Sequence, residues 1–182
     1  MSDWPGTRAL GPEAGSVLST LTWLDEMGAR QAPVATQAHP SANLAIFVPC
    51  RVGRMVTVHQ IAFGCGSGSA GNADVGIYDH FGNRVISTGP VAMASNQEMI
   101  INFVPPEPTL GPGHYYLAMA VDGVHQVVCV VPPGTDPVPL QRVRLLGVLH
   151  MDQAFPLPEQ ATFVGPAIGP VIPAVAAYLL RY

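Results

Sequence analysis

The chain has no lysine; all eight of its basic residues are arginine, scattered from Arg8 to Arg181. No basic run is available to follow a phosphate backbone, so nucleic acid is not an expected partner. The missing lysine itself reads as the mark of a GC-rich coding sequence rather than of chemistry. Charge of both signs is thin: 11% of residues are charged and the formal net charge is -4, where globular domains usually carry about 25% charged residues. A surface so poor in charge suits a protein packed against copies of itself or against a large assembly.

The usual signatures of catalysis and metal binding are also missing. His39, His59, His80, His114, His125 and His150 occur singly, without HxH or HExxH spacing, and there is no G-x-S-x-G elbow. His59 and His114 fall on expected strands and could approach each other, as a surface pair without a role or as part of a metal site. The three cysteines, Cys50, Cys65 and Cys129, are an odd number without CxxC spacing. That count argues against a disulfide framework and fits assembly in a reducing cytoplasm. Cys129, inside an apolar run, reads as a small core residue. The first five residues have neither a basic n-region nor an apolar h-region, so no secretory signal is expected. The most apolar run, residues 171–180, is broken by Pro173 and falls short of the about 20 residues a membrane-spanning helix needs. No catalytic, cofactor-binding or metal-binding residue is assigned, and the protein is expected not to be an enzyme.

What is present is strand chemistry, organised around residues 72–121. Ala73, Val75 and Ile77 alternate with Asp74, Gly76 and Tyr78, which places them on opposite faces of one strand. A turn rich in Gly and Asn follows, and residues 84–88 resume the strand pattern, which is a β-hairpin signal. Residues 114–121 are aromatic and apolar enough for a strand buried on both faces. Residues 44–48, ended by Pro49, and residues 55–63 read as two earlier strands. In residues 97–104, Met99, Ile101 and Phe103 share a face opposite Ile100 and Asn102. Asp122-Gly123 has the chemistry of a two-residue hairpin turn, predicting that residues 115–121 pair with residues 124–131. Residues 142–150 are one further strand candidate. Seven or eight strands at about ten-residue spacing predict an all-β antiparallel sandwich or jelly roll.

The flanks read differently. Residues 16–27 carry Val17, Leu18, Leu21 and Leu24 at helix-like spacing, a weak helix, and residues 28–41 with Pro33 and Pro40 read as an extended linker. From Met151 onward repeated prolines forbid long regular elements until residues 175–181. The expected organisation is an N-terminal arm and linker over 1–41, a sandwich over 42–150 and a proline-rich C-terminal arm over 151–182.

The sequences DVGIYD over 74–79, Ser87-Thr88-Gly89, and LGPGHYYLA over 110–118 resemble the β-sandwich domains of tailed-bacteriophage structural proteins. The similarity covers residues 44–131. It implies a virion structural protein, assembled in the host cytoplasm, that decorates or stabilises a head or forms part of a head fibre or tail. Its partners would be copies of itself, a trimer being the expected form, and other virion proteins. A carbohydrate-binding module for host-surface attachment is the alternative, with a host-surface glycan as partner, and a hydrolase accessory domain is a third reading. Beside these stand smaller local readings. The glycine-rich residues 64–71 lack the ending of a phosphate-binding loop and read as a flexible loop at the tip of the sandwich. Asn72, Asp74, Asp79 and Asn83 are oxygen donors that would suit calcium, or else they cap turns. Tyr78, Tyr115, Tyr116, Trp4 and Trp23 would serve a sugar-stacking platform, core packing or subunit contacts.

Overall fold

The computed structural model describes residues 16–20, 34–130, 147–166 and 171–180. Every regular element among them is a strand. In chain order these are β1 (Ser16–Ser19), β2 (Val34–Ala38), β3 (Ala45–Val52), β4 (Val56–Gly64) and β5 (Asn72–Asp79). Then come β6 (Arg84–Ser87), β7 (Val91–Ala92), β8 (Glu98–Asn102), β9 (Thr109–Leu110) and β10 (Gly113–Val121). The last five are β11 (Gln126–Val130), β12 (Leu149–Met151), β13 (Val164–Pro166), β14 (Ile172–Pro173) and β15 (Val175–Leu180).

All the pairings are antiparallel, in three sheets. One runs β1-β15-β4-β8 with β9 also on β4, a second runs β13-β12-β3-β10-β5-β6 with β7 on β5, and the third is β14-β11-β2. The main core lies where these layers meet: Ile46 and Val48 of β3, Val75 and Ile77 of β5, and Leu117 and Met119 of β10 share one buried cluster with Val58 and Phe63 of β4 and with Val175. An all-β sandwich is therefore the fold, as the strand alternation predicts. The alternation of residues 97–104 is reproduced too, with Met99, Ile101 and Phe103 against the core and Ile100 exposed.

A bulge explains one place where period-two reading breaks down. On β4, Val56 and Val58 face the core, and so do Ile61 and Phe63, although simple alternation would put the two pairs on opposite faces. The register against β15 slips between Tyr178↔Gln60 and Leu179↔Val58, leaving His59 as the extra residue. One inserted residue restores the inward face for the second pair and turns His59 and Gln60 outward.

The outer face of the seven-stranded sheet is covered as well. Ala45, Phe47, Tyr78, Ala118 and Ala120 form a second buried cluster with Ala154, Leu157 and Ala161, which belong to a strap over residues 152–163. Phe47 meets Tyr78 and Phe163 edge-on at centroid distances of 5.2 and 5.1 Å. Small residues on the sheet let the strap come close. Gly76 is required for the same reason: a Cβ there would stand 2.6 Å from the Ile86 carbonyl oxygen and 3.2 Å from Leu157.

Several sequence expectations are corrected. The hairpin across Asp122–Gly123 does not form, because β10 already has β3 on one edge and β5 on the other. Asp122 closes the β5–β10 end, donating its N–H to the Asn72 carbonyl at 3.1 Å, and β11 crosses to pair with β2 and β14. Pro49 does not end its strand; β3 continues to Val52, and β12 covers only Ala45 to Phe47, so a residue without an N–H fits the open edge beyond. Residues 64–71 are not a free tip: Gly66 packs where a Cβ would clash with Thr36 and Gln126, and the Ser69 hydroxyl reaches the Gly66 carbonyl at 2.9 Å.

The arms are drawn into the sheets. Ser16–Ser19, expected as the start of a helix, is a strand paired with β15, and Val34–Ala38, expected as linker, is paired with β11. β15 lies between β1 and β4. Val175, Ala177 and Leu179, in the segment expected as a C-terminal arm, fill this chain's own core. Residues 21–33 of the expected helix and linker, which include Trp23, and also Trp4 and residues 142–146, lie outside the described residues. Cys50, Cys65 and Cys129 are buried and none is in a disulfide, and burial pushes the Cys129 thiol up to about 12.

Candidate functional site

A polar concavity lies at the turn between β5 and β6. Asp79 accepts hydrogen bonds from the Phe81 N–H at 2.9 Å, the Asn83 N–H at 2.8 Å and the Asn83 side-chain amide at 2.8 Å. Desolvation is the largest single influence and pushes its carboxyl up, but the Asn83 and Phe81 donors, with His80 nearby, together hold it below the usual range. Gly82 takes φ 88°, a left-handed conformation open to glycine.

The strap locks onto this turn. The Ala161 N–H donates to the Gly82 carbonyl, and the Arg84 N–H to the Glu159 carbonyl, each at 2.8 Å. Arg84 sits opposite Tyr78, on the outer face, because β6 bulges by one residue between Ile86 and Arg84. Its guanidinium donates to the Leu157 carbonyl, the Tyr78 hydroxyl donates to the Pro158 carbonyl at 2.5 Å, and Asp74 accepts the Leu157 N–H at 2.9 Å. Burial pushes the Asp74 carboxyl up, and the Leu157 N–H, the Thr88 hydroxyl and Arg84 pull it partly back. Three side chains of the outer face thus clasp residues 157–158. Beside them lies an open groove of ≈ 600 Å³ lined by Asn83, Arg84, Ser87, Glu159 and Gln160 among others.

No protein-family model matches the chain, and none of the curated proteins matches it. The groove is accordingly read from its own geometry.

The residues singled out in the sequence are distributed as follows. Asn72, Asp74, Asp79 and Asn83 do not converge on one point: Asn72 bonds to Asp122, Asp74 to the strap, and Asp79 to Asn83 within the turn. Among the described residues no group of three or more His, Cys, Asp or Glu side chains is placed to hold a metal ion. His59 and His114 stand on different sheets; His59 lies 2.5 Å from Glu107, and His114 pairs opposite Arg51. Tyr78 is buried in the second cluster, the Tyr115 hydroxyl donates to the Gly111 carbonyl at 3.1 Å, and Tyr116 packs on Phe163. They form no exposed platform. Among the described residues an exposed ring is that of Phe81, 71% accessible and tilted against His80 at the hairpin tip. Sequence reading missed Arg84, Glu159 and Gln160. Two of them lie more than 70 positions beyond the turn they join, and no local pattern marks them.

A second cluster joins the layers. Asp122 accepts the Asn72 N–H at 2.9 Å and lies 3.0 Å from the His125 ring, and the His39 N–H donates to the His125 carbonyl at 2.8 Å. His39 is fully buried; its Nδ1 lies 2.9 Å from the Ser41 carbonyl, and its Nε2 has no hydrogen-bond partner. Burial is the main cause that lowers its pKa, with the nearby His125 adding to it and the Ser41 carbonyl opposing. A lowered folded value means the unfolded chain takes the proton first. Stability is complete above the ordinary histidine value of 6.5 and is lost as the pH falls from there toward the folded value. Urea unfolding at stepped pH is expected to show this loss in the native protein and a smaller one in His39→Leu; identical profiles would contradict it.

Proposed function

We propose that the protein is a non-enzymatic structural subunit of a bacteriophage virion, decorating a head or forming part of a head fibre or tail through subunit contacts. The observation that carries this reading is the meeting of the two segments that resemble such subunits. DVGIYD and the YYLA of residues 115–118 become adjacent strands, with Tyr78 opposite Tyr116 and Gly76 opposite Ala118. The thinly charged surface supports it further, since interface centres are depleted of charge.

The C-terminal residues no longer argue for a partner, because β15 is consumed inside its own sheet. Contact falls instead to the sandwich exterior, where Met55, Ile100 and Val104 are exposed apolar side chains. The expected state is a homo-oligomer, a trimer, bound to other virion proteins.

Quantitative mass spectrometry of purified particles, with sedimentation of the isolated chain in their presence and absence, tests the proposal. The chain is expected at fixed stoichiometry in particles and to cosediment with particles that lack it. A chain that is absent from particles and stays monomeric beside them overturns it.

A further inference from the structure

We infer that the groove beside the β5–β6 turn is a carbohydrate-binding site for a largely uncharged, hydroxyl-rich saccharide chain. The inference does not depend on where the protein resides. It starts from how the lining side chains are held. The Asn83 amide donates to Asp79, which leaves its carbonyl oxygen as an acceptor. The Gln160 amide donates to the Phe81 carbonyl at 3.0 Å and likewise keeps an oxygen to offer. One terminal nitrogen of Arg84 is committed to Leu157, while the other lies 3.9 Å from Glu159, too far for a hydrogen bond. Each group is oriented by one internal bond and retains another pole, so a ligand meets donors and acceptors whose orientation is already fixed.

The charge and shape of the groove narrow the ligand class. One guanidinium faces one carboxylate, and Glu159 is 93% exposed. With Asp79 bonded behind Asn83 as well, the site has no excess of positive charge for a phosphate or a polyanion, whose recognition uses clustered cations. Five of the lining residues carry amide, guanidinium, hydroxyl or carboxylate groups, and Val85 and Ile86 are the apolar ones, whereas pockets for drug-like or cofactor molecules are lined mainly by apolar side chains. Sugar hydroxyls both donate and accept, which is what such a lining requires of its ligand. Phe81 stands outside the lining, on the adjoining turn, where its carbonyl accepts from Gln160 and its ring is exposed beside His80; an aromatic face next to the groove is the apolar partner for the C–H face of a pyranose. The open groove suits a chain that continues past both ends rather than an enclosed small molecule.

The test uses the full chain on an array of neutral oligosaccharides and polysaccharides of varied linkage and origin, with charged saccharides alongside. Nitrogen-detected NMR titration with the best-retained oligosaccharide follows. Retention of at least one saccharide is expected, with shifts at the Asn83 and Gln160 side-chain amides. Phe81→Ala and Gln160→Ala should each weaken binding by about tenfold, the scale of one lost contact, with melting temperatures unchanged. Affinity should vary little between low and high salt, since no net charge is matched. The inference is overturned if no saccharide on the array is retained. It also fails if binding leaves the groove amides and both variants unaffected, or if it collapses with salt as a polyanion complex would.

Discussion

Truncation before Val171 is expected to unfold the domain. β15 pairs with β1 through Ser16↔Leu179 and its neighbours, and with β4 from Val175↔Phe63 to Leu180↔Thr57. Its removal strips both strands of a partner. Val171, Ile172, Val175 and Leu179 are all buried, and each such side chain contributes roughly 1.5–3 kcal/mol on burial. Against a total stability of about 5–15 kcal/mol for a domain, the loss is decisive. Thr20 adds to it, because its hydroxyl accepts the Val175 N–H at 3.2 Å. Circular dichroism and thermal melting of the truncated chain should show no cooperative transition. A native-like β spectrum with a sharp melt would mean that the C-terminal segment is dispensable after all, and would reopen the case for an arm that binds a neighbour.

The second large effect is expected at Asp74. Asp74→Ala leaves the Leu157 N–H buried without an acceptor and removes a partner of Thr88. The cost is on the order of 3 kcal/mol, most of it from the orphaned donor. Amide exchange should accelerate across residues 152–163 while the interior of β10 stays protected. Asp74→Asn keeps an oxygen for Leu157 and should cost less than about 1 kcal/mol at neutral pH. Its pH profile should also differ. Because the folded pKa is raised, the contribution of Asp74 to stability is fully present below its ordinary value of 3.8 and is lost as the pH rises through the folded value. The Asn variant lacks that decline, so the difference between the two proteins should shift in favour of Asn with rising pH. Equal exchange rates in Asp74→Ala and the native protein would show that the strap is held by its apolar contacts alone.

What could be read from sequence was what is decided within a few residues. The hairpin of β5 and β6 follows from alternation and a Gly-Asn turn, and its glycine at 82 has the positive φ that such a turn asks for. The same local reasoning failed at Asp122-Gly123, where the turn chemistry is right but β10 had no edge left to offer. It failed again at Ser16–Ser19 and Val34–Ala38, whose strand state is imposed by partners about 90 to 160 residues away rather than by propensity. Calcium and hairpin-capping readings of Asp79 and Asn83 could not be separated until their mutual hydrogen bonds were seen. The groove was out of reach altogether, since Glu159 and Gln160 arrive through a strap whose path depends on Tyr78, Asp74 and Arg84.

The position of β15 also governs when the protein can fold during synthesis. Its pairing partner β1 lies about 160 residues earlier, so an elongating chain must keep Ser16–Ser19 and β4 without their shared neighbour until residue 180 has left the exit tunnel. Sheets whose contacts span nearly the whole sequence fold slowly, because loop-closure entropy is lost before any of those contacts forms. In the interval Val58, Ile61 and Phe63 are unshielded on a strand with an open edge, the form in which nascent chains pair with one another. Chaperone demand during overproduction should therefore follow the interval between the emergence of β4 and that of β15.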